Sequence, residues 1–387
     1  MKILVTGGAG FIGSHLVDAL IAQGHQVRVL DSFEPQVHGT TPPTYLNPRA
    51  EYLRADVRDR QAVRRALAQM DVVFHEAAAV GVGQSMYQIE KYVAANVLGT
   101  AVLLDVIVND QLRPKKLIVA SSMSIYGEGP YRCAQCGPVF PSLRSDAQLA
   151  QHRWEMDCPQ CHQPATPVPT AESKPLAPTS VYAVSKRDQE ELCLSVGRSY
   201  RIPTVALRYF NVYGPRQALS NPYTGVCAIF SAQIKNGRPP LVYEDGQQSR
   251  DFIHVSDIVQ ANLLVTADPR ADDQVFNVGT GHPVTIRDIA RLLAELYQVD
   301  VQVTPTHKFR AGDIRHCAAD ISAIRSIGFQ PKVVLKDGLR KLVEWGTEQV
   351  AQDRVESAAQ ELERFGLVSG EHAPARVARP NVSSPTP

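Results

Sequence analysis

Over most of its length the chain alternates short apolar, β-branched runs with amphipathic stretches. Lys2–Thr6 (KILVT) is the first run, and an amphipathic helix ending near Ala22 follows it. Gln26–Leu30 is the second, closing on Asp31, and Glu51–Ala55 is the third, leading into Asp56 and Val57. Asp71–His75 (DVVFH) reads as a buried strand and Lys116–Ala120 as the next, with a helix carrying Asn96 between them. Another helix opens at Tyr182 and runs to about Tyr200. Strands alternating with helices at this spacing predict an α/β fold on a Rossmann-type, doubly wound parallel sheet. The reading places this nucleotide-binding domain at 1–206. A smaller C-terminal α/β substrate domain is expected over 207–350, with the chain partly returning to the first domain near 250–265.

Two stretches break the pattern. Residues 128–172 are rich in Pro, Gln and Cys, show little periodicity, and carry the pairs Cys133/Cys136 and Cys158/Cys161. Two CxxC knuckles can supply four thiolates to a tetrahedral zinc ion, and a site filled by cysteine alone is a closed, structural one. A zinc-ribbon-like insertion near the mouth of the pocket is expected, with zinc ordering a lid. His152 and His162 lie close by but are not expected to replace a thiolate, and Cys193, Cys227 and Cys317 read as small core residues. The second stretch, 366–387, is rich in Ala, Pro, Ser and Val and is expected to be a disordered tail.

Composition narrows the field. At 387 residues the chain can build a large domain and a smaller one. Net charge is +1, from 40 basic against 39 acidic residues, and no basic tract stands out, so a nucleic-acid partner is not expected. No apolar run is read as reaching the roughly 18 residues of a membrane span, and the apolar N-terminus enters the first fold motif directly, unlike a signal peptide. Seven cysteines with two knuckles fit a reducing cytosol better than a disulfide framework.

Candidate chemistry begins after the first strand. Gly7, Gly10 and Gly13 fall in TGGAGFIGSH, where the helix opens with Phe11 and Ile12. Glycines there permit a tight turn and close approach of backbone to a pyrophosphate, and the helix N-terminus offers free N–H groups. Asp31 ends the second strand, where a carboxylate accepts from both ribose hydroxyls and repels a 2′-phosphate, so NAD is expected rather than NADP. Asp56 and Val57 are candidate contacts to adenine. Ala77 and Ala78, small residues after the fourth strand, let the chain pass close to the cofactor.

The reacting groups are expected further on. Ser122 ends the strand Lys116–Ala120 extended, and Tyr182 and Lys186 stand one turn apart on a single helix face. A phenol titrates near ~10, too high for a base at neutral pH. An ammonium one turn away, with the positive nicotinamide ring, favours the phenolate. Tyr182 can then take the proton of a sugar hydroxyl while hydride leaves the same carbon, with Ser122 hydrogen-bonded to that oxygen.

Over about residues 1–348 the chain resembles the extended short-chain dehydrogenase/reductase superfamily, in its nucleotide-sugar epimerase/dehydratase group. The segments that carry the likeness are TGGAGFIGSH, SSMSIYG, YAVSK, LRYFNVYGPR, RDFIHVSD and FNVGTG. The resemblance implies Asn96 near the cofactor, Asn211 near the sugar or phosphate, and Arg250 with one or both of Arg310 and Arg315 on the diphosphate. It also implies a homodimer through helices at about 88–110 and 182–200. Where 4,6-dehydratases of the group place an acidic pair, this chain has Met123 and Ser124, so oxidation at C4 is implied and elimination is not. Val80 stands where some UDP-galactose 4-epimerases have lysine. The cysteine insertion, RQALSNPYTGV and EDGQQSRDF narrow the resemblance to dTDP-L-rhamnose 4-epimerases. The implied activity is 4-epimerisation by permanently held NAD+. Alternatives are a UDP-hexose or UDP-uronate 4-epimerase, a dehydratase or decarboxylase, a 4-ketoreductase, and, last, an NAD-sensing protein without turnover.

Overall fold

The computed structural model describes residues 1–310 and 312–369. Seven parallel strands make the main sheet among these residues. Their spatial order is Val275–Val278, Thr204–Tyr209, Lys116–Ser122, Val72–His75, Lys2–Thr6, Gln26–Asp31 and Glu51–Arg54. The strand order reverses between Lys2–Thr6 and Val72–His75, which opens a crevice at their carboxyl ends. One apolar layer joins Ile3, Val5, Leu16, Leu20 and Val29 to Ile118, Leu207 and Ile258 on one face of the sheet. A second joins Leu4, Val63, Val73, Leu103, Ile107 and Leu117 on the other. Near-continuous apolar strands such as Lys116–Ser122, buried at every position, are what a sheet covered on both faces requires.

Past residue 206 the chain does not leave this domain cleanly. Helix Val255–Ala267 packs on the first helix, Phe11–Ala22, and Val275–Val278 forms the edge of the main sheet beside Thr204–Tyr209. The smaller domain is built from a mixed sheet, Asn211–Tyr213, Ser249–His254 and Pro283–Thr285, with His316–Cys317 alongside. Helices Val226–Lys235, Ile286–Leu296 and Leu335–Thr347 share a core with it through Phe230, Phe252, Leu293 and Leu342.

Residues 351–365 carry no expectation from sequence. They form a helix, Val355–Arg364, followed by a short strand, Val368–Ser369, that pairs antiparallel with Phe309–Arg310. Leu362 and Val368 are buried with Tyr243. The expected disordered tail is thus corrected at its start, because residues 367–369 pack against the substrate domain; the part from 370 onward lies outside the described residues.

The helical segment Ile89–Asn109 is 21 residues long and holds an 18-residue window of mean hydropathy 1.6, enough by length and composition to cross a membrane. In the fold it packs against helices Arg60–Leu67 and Val181–Tyr200, which accounts for much of its apolar character.

The insertion folds as three antiparallel strands, Gly137–Val139, Tyr131–Cys133 and Ala165–Pro167. The sulfur atoms of Cys133, Cys136, Cys158 and Cys161 all lie within 4.8 Å of one another. No residue of 128–172 lines the main cavity. In place of a lid, the insertion packs behind the loop that carries Arg310. Trp154 meets Phe309 (ring centroids 6.4 Å apart), and Gly129 N donates to the carbonyl of His316 (2.9 Å).

Candidate active site

A cavity of about 720 Å³ runs from the glycine loop to the smaller domain. Gly7, Gly10, Phe11, Ile12, Gly13, Asp31, Asp56 and Val57 line one end of it, with Ala77 and Ala78. Gly7 has a φ of +70°, and a Cβ there would meet the Ala77 backbone at 2.8 Å. A Cβ on Gly13 would lie 2.7 Å from the Gly8 Cα. The turn is therefore closed to side chains, and the helix it opens has no side-chain cap at Gly10. That combination is a cradle for a diphosphate. Asp31 accepts from the backbone N–H of Ala9 (3.0 Å) and Phe33 (2.8 Å), which fixes its carboxylate at the cavity wall. Asp56 is paired with Arg58 through two side-chain hydrogen bonds of 2.9 and 2.7 Å, which hold its carboxyl below the usual range. The donor set and the shape of the turn fit a dinucleotide.

Asn96 is displaced from its expected role. It is fully buried behind the loop and does not line the cavity. Its Oδ1 accepts from Ala79 N (2.7 Å), and its Nδ2 donates to Ala79 O (3.1 Å) and Ser185 Oγ (2.9 Å). It pins the Ala77–Ala79 loop to the helix that carries Tyr182.

Ser122, Tyr182 and Lys186 line the same cavity. Ser180 caps the helix Val181–Tyr200 by accepting from Ala183 N, so Tyr182 projects from a fixed first turn. Ser122 caps the next turn of its own strand and accepts from Ser124 N (3.2 Å) and Ser124 Oγ (2.9 Å). Burial raises the Tyr182 phenol above its ordinary value, and a hydrogen bond with Ser122 pulls it partly back. Burial lowers Lys186 to about 8, opposed chiefly by Glu76. The Lys186 ammonium donates to Ala120 O and Gln189 Oε1. In the protein alone the lysine is therefore held by its own neighbours, and the phenol is not a stronger acid for its presence.

At the other end, Asn211, Arg250 and Arg310 line the cavity. Arg250 spends donors on the carbonyls of Ile314 (2.7 Å) and Arg315 (3.0 Å). Arg310 lies over the Tyr243 ring, 4.1 Å from its centroid, and its buried Nε has no partner. The side-chain oxygens of Asn211, Gln217 and Gln248 are likewise buried and unpaired, and all three residues line the cavity. Such orphans mark places where a polar ligand completes the hydrogen bonding.

Arg315 is corrected outright. It is fully buried, does not line the cavity, and is surrounded by acids. It donates to Glu244 (3.0 Å), to both oxygens of Asp245 (2.7 and 3.0 Å) and to Glu155 (3.1 and 2.5 Å). Its charge is already neutralised, so none is left for a diphosphate. Glu244 is also held bidentately by Arg144 at 2.8 Å twice.

Sequence reasoning missed Glu76 and the C-terminal helix. Glu76 follows strand Val72–His75 and lines the cavity, as do Val355, Ala358, Ala359 and Leu362. An acid at the carboxyl end of an apolar strand, HEAAA, was the available signal for the first. For the helix, Val355, Ala358, Ala359 and Leu362 stand at i, i+3, i+4 and i+7, an apolar stripe of helical period that was the available signal.

The cysteine quartet fits a metal. Cys133 and Cys161 sulfurs are 3.5 Å apart, close to the roughly 3.8 Å edge of a ZnS₄ tetrahedron with 2.3 Å bonds. Backbone N–H groups of Cys136 and Gln135 draw the Cys133 thiol down to about 7, while the neighbouring Cys161, with burial, pushes Cys136 up to about 12. Four thiolates this close need a cation to coexist.

Set beside known proteins, this geometry has a clear affiliation. The chain belongs to the NAD dependent epimerase/dehydratase family, which it matches over residues 3–145 and 158–279, the gap falling inside the cysteine insertion. Within that family it is an enzyme of the NAD-dependent nucleotide-sugar epimerase class, an isomerase. It is 35% identical over 355 residues to a dTDP-L-rhamnose 4-epimerase of Burkholderia thailandensis, covering 90% of this chain and 96% of that one. It is 30% identical to a putative UDP-glucose 4-epimerase of Methanocaldococcus jannaschii, over 89% of this chain and 97% of the relative. Among solved structures it is similar to the UDP-glucuronic acid 4-epimerase from Bacillus cereus in complex with UDP-glucuronic acid and NAD. That match has a TM-score of 0.73 and 28% identity, over 90% of this chain and 99% of the other.

Proposed function

We propose that this enzyme is a nucleotide-sugar 4-epimerase that interconverts dTDP-L-rhamnose and dTDP-6-deoxy-L-talose without net redox change. The observation that carries the reading is the convergence, in one cavity, of the glycine cradle, the Ser122–Tyr182–Lys186 group and the unpaired guanidinium edge of Arg310. Bound NAD supplies an oxidised nicotinamide that accepts a hydride from C4 and returns it. Gly7, Gly10, Phe11, Ile12 and Gly13 hold its diphosphate, Asp31 its ribose, and Asp56 and Val57 its adenine. Tyr182 takes the proton of the C4 hydroxyl, and Ser122 donates a hydrogen bond to the oxygen as its charge develops. Lys186 must turn toward the phenol and the cofactor ribose to favour the phenolate. Arg250, Arg310 and Asn211 anchor the sugar diphosphate while the flat 4-keto sugar turns and presents its opposite face.

Met123 and Ser124, both at the cavity wall, offer no acid–base pair for loss of water, which favours epimerisation over dehydration. The dTDP-rhamnose assignment rests on the 35% identity to the Burkholderia enzyme and on the shared motifs. Incubation of purified enzyme with dTDP-L-rhamnose, without added cofactor, is expected to give the C4 epimer by NMR. Turnover of UDP-glucose or UDP-glucuronate in its place would reassign the substrate.

We further propose one structural zinc per chain at Cys133, Cys136, Cys158 and Cys161, and a homodimer through helices 89–109 and 181–200. The dimer reading is supported by the exposure of Ile89, Val93, Leu98 and Val184 on those helices.

A further inference from the structure

The cavity is lined by five carboxylates among the described residues, and four have an evident place. Asp31 and Glu34 sit at the end of the second strand, Asp56 pairs with Arg58, and Asp313 faces Arg250. Glu76 is different. It stands where the strand order of the sheet reverses, directly behind the glycine turn: a Cβ on Gly7 would lie 3.0 Å from the Glu76 carbonyl carbon. Its carboxyl accepts from Tyr209 Oη (2.8 Å), and that oxygen accepts in turn from Asn262 Nδ2 (2.8 Å). Tyr209 is paired in register with Ser122, so Glu76 is anchored to the strand position beside the reacting serine. Among the elements packed around it, the titratable neighbours are Tyr209 and the Lys186 ammonium; His75 on its own strand is turned away, bonded to Thr6 and Thr100.

We propose that Glu76 biases the bound dinucleotide toward its oxidised form, by placing a negative charge in the chamber where the nicotinamide's positive charge is lost and regained. This rests on the NAD-dependent reading above. When hydride leaves C4 with two electrons, the hydroxyl proton passes to Tyr182 and the ring becomes neutral; both transfers reverse in the second half. A carboxylate fixed in this chamber stabilises the positive ring and not the neutral one. It disfavours a stranded reduced cofactor if the keto sugar escapes. Burial pushes Glu76 up to about 7, so this bias is switched on as pH rises through neutrality.

The test uses purified wild type, Glu76→Gln, Glu76→Leu and Tyr209→Phe. Each is equilibrated with an equimolar excess of NAD+ and NADH, freed of unbound dinucleotide, and extracted for quantification. The NAD+ to NADH ratio retained by Glu76→Gln and Glu76→Leu is expected to fall on the order of tenfold relative to wild type. Tyr209→Phe removes a hydrogen bond that holds the Glu76 carboxyl down, so its ratio should climb at higher pH than in wild type and reach the wild-type preference only there. The wild-type ratio should climb between one pH unit below and one above about 7, and the Glu76 variants should stay flat. Variants that bind both dinucleotides with the wild-type ratio and pH response overturn this inference alone. Wild-type protein that retains neither dinucleotide overturns the functional reading and this inference with it.

Discussion

Tyr182 and Lys186 stand one helical turn apart, yet the lysine's ammonium is committed to Ala120 O and Gln189 and leaves the phenol unassisted. In the proposed mechanism, activation of Tyr182 therefore waits on the cofactor. Tyr182→Phe is expected to lower kcat by about 10²–10⁴-fold, the usual weight of a general base, while NAD stays bound. Steady-state kinetics with extraction of the cofactor checks both halves, and a variant with near-normal kcat would remove Tyr182 from the chemistry.

Glu76 gives a stability signature that needs no substrate. Its folded value, about 7, lies above its ordinary value. Protons are thus held more tightly by the folded state, and stability falls as pH rises from the usual glutamate range through 7. Lys186, drawn down to about 8, acts in the opposite sense at higher pH: stability is regained between about 8 and its ordinary value. Thermal unfolding of cofactor-free protein should show the first decline in wild type and its loss in Glu76→Gln. Parallel curves for the two proteins would contradict the assignment.

Arg310 and Arg315 should separate cleanly. Arg310→Ala is expected to raise KM about 10–100-fold, matching a lost charge-assisted hydrogen bond of ~1.5–3 kcal/mol, with little change in Tm. Arg315→Ala leaves Asp245 without its cation and strips one from Glu155 and from the buried Glu244, and should cost roughly 3–5 kcal/mol of stability. Kinetics and denaturant unfolding of both variants decide; the reverse pattern would restore Arg315 to the substrate.

Glu361 accepts from the hydroxyls of Tyr87 (2.7 Å) and Tyr223 (2.6 Å), and Phe365 stacks on Tyr87 at 4.7 Å. Helix Val355–Arg364 is thereby strapped over the cavity. Truncation after residue 353 is expected to raise KM and to release keto sugar into solution, detectable by trapping with a hydrazine. An unaltered KM with no trapped ketone would show that the strap is incidental.

Chelation of purified protein should remove one zinc per chain and lower Tm, with NAD retained, because the cysteine quartet is remote from the cavity. Native mass spectrometry reads all three quantities, and metal-free protein of unchanged Tm would refute the zinc proposal.

What the sequence disclosed was local. The glycine turn and the Tyr182/Lys186 pair are each contained within one strand–helix junction or one helical turn, so their spacing alone carries the geometry. Arg315 was misread because the acids that claim it come from the insertion and from Glu244–Asp245, far away along the chain. Asn96 was placed near its true position, but its partner, the backbone of Ala79, is visible only once the helix and loop are packed. The helix over the cavity carries a periodic stripe, Val355, Ala358, Ala359 and Leu362, but the cavity that stripe faces exists only once the chain is folded.

The ionic bridge from Arg144 to Glu244, and on through Arg315 to Glu155, ties the cysteine module to the enzyme, with Arg144, Glu244 and Arg315 shut off from solvent. Excising that module to shorten the protein would remove Arg144 and Glu155 and leave Arg315 alone against Glu244 and Asp245, one cation for two acids. Module and host can be transplanted or trimmed only together.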